Sequence, residues 1–147
     1  MEFTQLIADF AARYNVDGLA DEDGTATVSI DGIVITLVAV GDSLIVHADI
    51  GAPPTEGQAE FSGLLLEANL ESESFFAKNR ENGRYVIVRR LVLNSLNADA
   101  FDTALAALVN TAEVWRRLLM NFHPAAKTAG QQETDISDFG SAGFMQV

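Results

Sequence analysis

The sequence predicts an α+β domain in which helices pack on a twisted antiparallel sheet, with the element order α-βββ-α-ββ-α. Two observations lead to this prediction. Three segments repeat apolar residues with helical spacing. Between them lie short β-type runs joined by Asp-Gly, Gly-Asp and Asn-Gly dipeptides, which favour tight hairpins. One domain is predicted over residues 1–123. Residues 124–147 are predicted to form a flexible tail, because they are rich in Gly, Gln, Ser and acids and have no periodicity.

The first helix is predicted over about residues 3–14. Its apolar residues recur three or four positions apart and form one stripe: Phe3, Leu6, Ile7, Phe10, Ala11 and Tyr14.

Three strands are predicted next, over about residues 25–30, 33–40 and 43–50. Asp31-Gly32 and Gly41-Asp42 join them into a meander, because these residues tolerate the positive φ of tight hairpin turns. The middle strand is apolar on both faces, with Ile33, Ile35 and Leu37 on one face and Val34 and Val38 on the other. Two interpretations stay open: either both faces are covered, or one face is available to a partner.

The second helix is predicted over about residues 56–70, starting at a capping box of Thr55 and Gln58. Its apolar residues spread around more than one face and therefore need two neighbours: Phe61, Leu64, Leu65, Leu66, Ala68 and Leu70. A second subunit could supply one neighbour, so a homodimer is predicted. Strands follow at about residues 74–78 and 85–91, and a third helix runs from its N-cap Asn97 to about Phe122.

The charge distribution limits the classes of partner. The net charge of -12 opposes binding to nucleic acid and to anionic membranes. Residues 1–76 contain one base and 14 acids, whereas residues 77–122 contain seven bases and four acids. With zero cysteines, no membrane-length apolar run and no signal-peptide pattern, the sequence predicts a cytoplasmic protein without thiol chemistry or disulfides.

Catalytic motifs are not evident. His47 and Asp49 share a strand face and could act with Ser29, Ser43 or Ser62, but no nucleophile elbow surrounds these serines. The acidic loop over residues 16–24 lacks the closing Glu of a calcium loop, and no Gly-rich phosphate loop occurs. We therefore expect a protein-binding protein with no cofactor and no enzymatic activity. The alternatives are a dimeric regulatory or sensory domain and, less favoured, a small hydrolase.

The order of these segments resembles the class I type III secretion chaperones, the Tir-chaperone (CesT) family. Four stretches carry the resemblance: the amphipathic first helix, Asp23-Gly24 before a strand, Gly-Leu-Leu-Leu-Glu-Ala-Asn-Leu at residues 63–70, and residues 101–116 ending in Ala-Glu-Val-Trp-Arg. The string Leu-Leu-Glu-Ala-Asn-Leu is the most specific. The long tail after Pro124 and the charged residues between Phe75 and Arg84 depart from the family pattern.

The resemblance implies a bacterial, cytoplasmic homodimer built around the second helix and a nearby strand, with Phe61, Leu64, Leu65 and Leu66 at the interface. The implied partner is the N-terminal chaperone-binding segment of an effector, which is kept competent for secretion and presented for export. We expect this segment to follow the first helix and an open sheet face, with an arginine meeting its acidic residues. The expected binding residues are Phe3, Leu6, Ile7, Phe10, Val34, Val38, Ile45, Arg89 and Arg90.

Overall fold

The computed structural model describes residues 2–16, 19–20 and 23–124. The predicted tail, apart from its first residue, and residues 17, 18, 21 and 22 of the acidic loop lie outside the described residues. The elements are α1 (Phe3–Tyr14), β1 (Leu19–Ala20), β2 (Thr25–Ile30), β3 (Ile33–Val40), β4 (Ser43–Gly51), α2 (Gln58–Ala68), β5 (Phe75–Lys78), β6 (Tyr85–Val92) and α3 (Ala98–Met120). The predicted order is confirmed, and the two-residue strand β1 is an addition to it.

The strands form one antiparallel sheet in the order β1-β2-β3-β4-β6-β5. The predicted meander is confirmed at its turns. Asp31 and Gly32 have φ values of 52° and 81°, and Gly41 has 59°, as tight hairpins require. The hairpin between β5 and β6 has residues 79–84 as its loop, as the predicted strand bounds require.

The core lies between one face of the sheet and the three helices. A buried row crosses the sheet with one residue from each of five strands: Val28, Ile35, Ala48, Ile87 and Phe76. Buried residues of α1, α2 and α3 belong to the same hydrophobic cluster as this row. All three helices therefore cover the same face of the sheet.

Aromatic rings join the helices to one another and to the sheet. Phe10 of α1 meets Phe101 of α3 edge-on, with ring centroids 5.5 Å apart. Phe61 of α2 contacts Tyr85 at 5.6 Å, Trp115 at 6.0 Å and Phe122 at 5.1 Å. These contacts fix the rotation of α2 about its axis.

Of the two predicted helix N-terminal caps, one is confirmed and one is wrong. The Asn97 cap is confirmed, since its side chain accepts a hydrogen bond from the Ala100 amide at 2.8 Å. The Thr55 capping box is wrong, because α2 begins at Gln58 after a left-handed Gly57 with no side-chain cap. A Cβ at Gly57 would lie 2.7 Å from the Pro124 side chain, so glycine is required where the chain after α3 crosses this turn.

Candidate functional site

No helix covers the side of the sheet opposite α1, α2 and α3 among the described residues, and we call this side the open face. Val86 and Val88 of β6 are nevertheless buried on it. Side chains alternate along a strand, so residues between the buried ones point to this side. The register arranges them in cross-strand rows: Thr36, His47, Val88 and Phe75 in one, Val38, Ile45 and Arg90 in the next, and Val40, Ser43 and Val92 in the last. Val34 lies beside Ser29 at the other end.

Apolar side chains on the open face remain exposed to solvent. The exposed fraction is 47% for Val34, 56% for Val40 and 54% for Val92. Val38 and Ile45 are half-buried near the centre of the face. Folding of the described chain thus leaves a row of β-branched residues in contact with water, which is typical of an interaction surface.

Charged groups flank these apolar side chains. At one end, Arg84 donates from Nε to Asp49 Oδ1 at 2.8 Å and from Nη2 to Asp49 Oδ2 at 2.7 Å. This pairing raises the pKa of Arg84 above its ordinary value. Arg90 is exposed beside Ile45 nearer the other end. Burial lowers the pKa of His47, which lies between these two groups.

The expected contribution of the first helix to this surface is wrong for the described chain. Phe3, Leu6, Ile7 and Phe10 are buried in the core, on the helix side of the sheet. They cannot form one continuous surface with Val34, Val38 and Ile45, because the sheet lies between the two groups. The apolar stripe of α1 holds the helix to the core.

The two candidate arginines also lie on opposite sides of the sheet. Arg89 pairs with Val46, a buried core residue, and lies on the helix side. There its Nη2 is 3.0 Å from Glu73 Oε1. Arg90 pairs with Ile45 on the open face. Only Arg90 can meet a ligand on this face, and the prediction for Arg89 is corrected.

The predicted dimer residues of α2 divide in the same way. Phe61 and Leu65 are buried in the core of the protomer, one helical turn apart, so their assignment to an interface is wrong. Leu64 and Leu66 are exposed, at 42% and 67%. Leu70, which follows α2, is more exposed still.

Three exposed apolar residues of the open face were not in the predicted set, namely Val40, Val92 and Phe75. The alternation of the predicted strands contains the signal for Val40, which is two positions beyond Val38. Val92 and Phe75 follow only from the register, which puts them in rows with Ser43 and with His47.

A concavity separate from the open face lies between α1, α3 and the turn after β2. It has a volume of about 370 Å³, and Phe10, Ile30, Leu105 and Val109 supply apolar parts of its lining. At its rim, Asp102 accepts hydrogen bonds from Arg13 at 2.6 Å and Tyr14 at 2.9 Å. The hydrogen bond to Asp102 raises the pKa of Tyr14.

The hydrolase alternative has no support in the geometry of the histidine. Both carboxylate oxygens of Asp49 accept hydrogen bonds from Arg84, and in the described structure Asp49 is paired with this arginine rather than with His47. Ser62 Oγ lies on the helix side, 2.9 Å from the hydroxyl of Tyr85. Within residues 2–16 and 23–124, no three His, Asp or Glu side chains are grouped as metal ligands.

No helix in the described part of the chain combines the length and hydropathy needed to cross a bilayer.

Comparison with known proteins places this fold. The chain is 29% identical over 122 residues to the transcriptional anti-antiactivator ExsC of Pseudomonas aeruginosa, covering 78% of this chain and 83% of that protein. The solved ExsC–ExsE complex matches with a TM-score of 0.69 and 25% identity, over 81% of this chain and 97% of that one. The HopA1–SchA chaperone–effector complex matches with a TM-score of 0.65 and 18% identity, over 78% and 93%. The similarity to the HopA1–SchA complex, at 18% identity, shows a shared fold.

The model of the Tir chaperone protein (CesT) family matches residues 5–116, which is most of the domain described above. The chain therefore belongs to the Tir chaperone protein (CesT) family of type III secretion chaperones.

Proposed function

We propose that this chaperone holds the N-terminal segment of a type III effector against the open face, keeps it competent for secretion and presents it for export. The observation that carries the proposal is the apolar patch of exposed Val34 and half-buried Val38 and Ile45, with Arg90 beside Ile45. The protein acts as a cytoplasmic homodimer without catalysis or a cofactor.

An extended segment suits this surface. Its alternate side chains would meet the rows of the open face, whose spacing along a strand is about 6.6–6.8 Å. Full burial of one valine or leucine side chain contributes about 1.5–3 kcal/mol, so a few such contacts could hold an unfolded segment. Arg90 would select segments with an acidic residue near the apolar ones.

The dimer is proposed to form through the exposed side of α2. Leu64 and Leu66 are the α2 residues of the predicted interface that remain outside the core. A symmetric contact would bury each of them against the same surface of the other copy.

A second candidate function is supported by the relative ExsC, named as a transcriptional anti-antiactivator. In this alternative, the chain also binds an antiactivator and so releases a transcription activator from it. The amount of the chain that is not bound to an effector then controls gene expression. The two functions share one requirement, which is reversible binding of a protein segment. They differ in what the loss of the chain does to transcription.

The surface is tested by changing Val34 and Val38 together to Ser. Candidate effector N-terminal segments are co-expressed with each variant, and the affinity of the complex is measured with purified proteins. We expect the affinity to fall at least about tenfold, equivalent to about 1.4 kcal/mol, while the melting temperature stays near that of the unchanged chain. Val114→Ser is the matched control, because Val114 is 49% exposed on α3.

Unchanged affinity in the double variant would reject the open face as the binding surface. Unfolding of the double variant would show that the face is part of the core of the assembly. A deletion strain separates the two functions. Loss of one effector from the export pathway with normal transcription supports the export role alone, whereas reduced transcription of secretion genes supports the regulatory role.

A further inference from the structure

Strand β5 is an outer strand of the sheet, since it pairs with β6 alone in the strand order. An outer strand normally exposes a row of amides and carbonyls that can pair with another chain. In an antiparallel pair, successive residues direct these groups alternately toward and away from the neighbouring strand. Ser74, Phe76 and Lys78 share the outward direction, as the contacts of Phe76 show.

The outward groups of Phe76 are bound by the side chain of Asn69. The Phe76 amide donates to Asn69 Oδ1 at 2.7 Å, and Asn69 Nδ2 donates to the Phe76 carbonyl at 3.4 Å. A neighbouring strand would supply the same donor and acceptor. The carboxamide of Asn69 therefore takes the place that one residue of an added strand would occupy.

The outward positions on either side of Phe76 are protected as well. The amide of Ser74 donates to Ser72 Oγ at 3.0 Å. Lys78, at the last position of β5, is exposed, and a charged lysine on an edge opposes pairing with another strand. The segment that supplies Asn69 and Ser72 is the turn after α2, residues 69–72.

We infer that Asn69 and Ser72 close the β5 edge to strand addition, so that neither a second copy of the chain nor an extended export segment pairs with it. This gives a role to Asn69, the Asn of the Leu-Leu-Glu-Ala-Asn-Leu string: its side chain occupies the outward hydrogen-bonding groups of β5. Leu65 is held in the core, Leu66 stays outside, and Asn69 caps the strand beside them. The inference rests on the proposed function only where it concerns the dimer, which must then form through α2 side chains.

The edge closure predicts the behaviour of a single amide. Hydrogen exchange by NMR is measured for Phe76 in the unchanged chain, in Asn69→Ala and in Asn69→Asp. Removal of the cap should raise the exchange rate of the Phe76 amide at least about tenfold, while the amide of the core residue Ile87 is unaffected. Asn69→Asp keeps the acceptor for this amide and should retain most of its protection.

The second readout is self-association. Light scattering over a range of concentrations should show that Asn69→Ala forms assemblies larger than the unchanged chain. An extended peptide of alternating valine and threonine should bind Asn69→Ala more tightly than it binds the unchanged chain, because the open face is the same in both. Glu71→Ala is the matched control, since it lies in the same turn and is exposed.

Equal exchange of the Phe76 amide in Asn69→Ala and in the unchanged chain would overturn the inference. So would an Asn69→Ala variant that stays at the original mass at every concentration and binds the peptide no more tightly than the unchanged chain does. A monomeric unchanged chain would refute the proposed dimer instead. The exchange and peptide measurements would still decide whether the edge is closed.

Discussion

Arg84 forms a bidentate pair with Asp49 at one end of the open face, through two parallel hydrogen bonds of 2.8 and 2.7 Å. The pair joins the loop after β5 to the end of β4, residues 35 positions apart. Two-pronged pairs of this kind are the strong class among exposed ion pairs, and the solvent exposure of both partners still limits their contribution.

We expect Asp49→Ala to lower the free energy of unfolding by about 1 kcal/mol and the melting temperature by about 4 °C. A double-mutant cycle with Arg84→Ala should give a coupling of about 0.5–1 kcal/mol, measured by urea unfolding. Glu73→Ala is the control, because Glu73 pairs with Arg89 through a single contact while its side chain is 82% exposed. An equal loss in both variants would contradict the special role of the two-pronged geometry.

The second prediction concerns the pH dependence of stability. Burial lowers the pKa of His47 below 6.5 in the folded chain. Between the folded and unfolded pKa values, the unfolded chain binds more protons, so acid favours unfolding. The stability contributed by neutral His47 is therefore complete above about pH 6.5 and is lost as the pH falls below it.

Urea unfolding at a series of pH values checks this expectation. His47→Gln should flatten the decline between about pH 7 and pH 5, whereas the exposed His123→Gln should leave it in place. A bound segment on the open face would bury His47 further, so its affinity should also fall in acid. An identical slope in His47→Gln and the unchanged chain would assign the decline to carboxylates.

Sequence patterns predicted the elements closely where local chemistry decides them. The bounds of α1, β2 and β3 agree with the structure, because the apolar stripe and the Asp31-Gly32 turn are local signals. The face of the sheet on which a side chain lies was harder to predict. Arg89 and Arg90 are adjacent and identical in type, and only the pairing of β6 with β4 shows which one reaches the open face.

The rotation of α2 could not be predicted from its own residues. Four apolar side chains at positions 61 and 64–66 offer nearly equivalent inward faces. The choice is made by long-range contacts, since Phe61 packs against Tyr85 and Trp115. The stripe of α1 poses the same problem, and its packing against Phe101 of α3 assigns it to the core.

The third prediction separates core from interface on α2. Leu65→Ala should cost about 2–5 kcal/mol, because it leaves a cavity among buried side chains. Leu66→Asp should leave the protomer folded and convert the dimer to monomer, because an interfacial charge would be buried without a partner. Circular dichroism and light scattering measure the two effects. A folded, dimeric Leu66→Asp variant would exclude this side of α2 as the interface.

The last prediction concerns where the domain ends. Phe122 packs on Phe61 with ring centroids 5.1 Å apart, and the Pro124 side chain lies close to Gly57. Residues 125–147 are rich in Gly, Gln, Ser and acids and show no apolar periodicity, so their sequence predicts little packing against the domain. We therefore expect a chain that stops after Pro124 to keep its fold and its dimer, with a melting temperature lowered by less than about 4 °C.

A chain that stops after Met120 is the matched comparison. It removes only four further residues, yet it takes away the Phe122 ring and the contact of Pro124 with the turn before α2. Loss of a packed aromatic side chain costs about 3–5 kcal/mol when fully buried, and less for the half-buried Phe122. Thermal unfolding should thus show a clear step between the two truncations. If the truncations after Met120 and after Pro124 have the same melting temperature, and it lies well below that of the full chain, then residues 125–147 contribute packing that the domain needs.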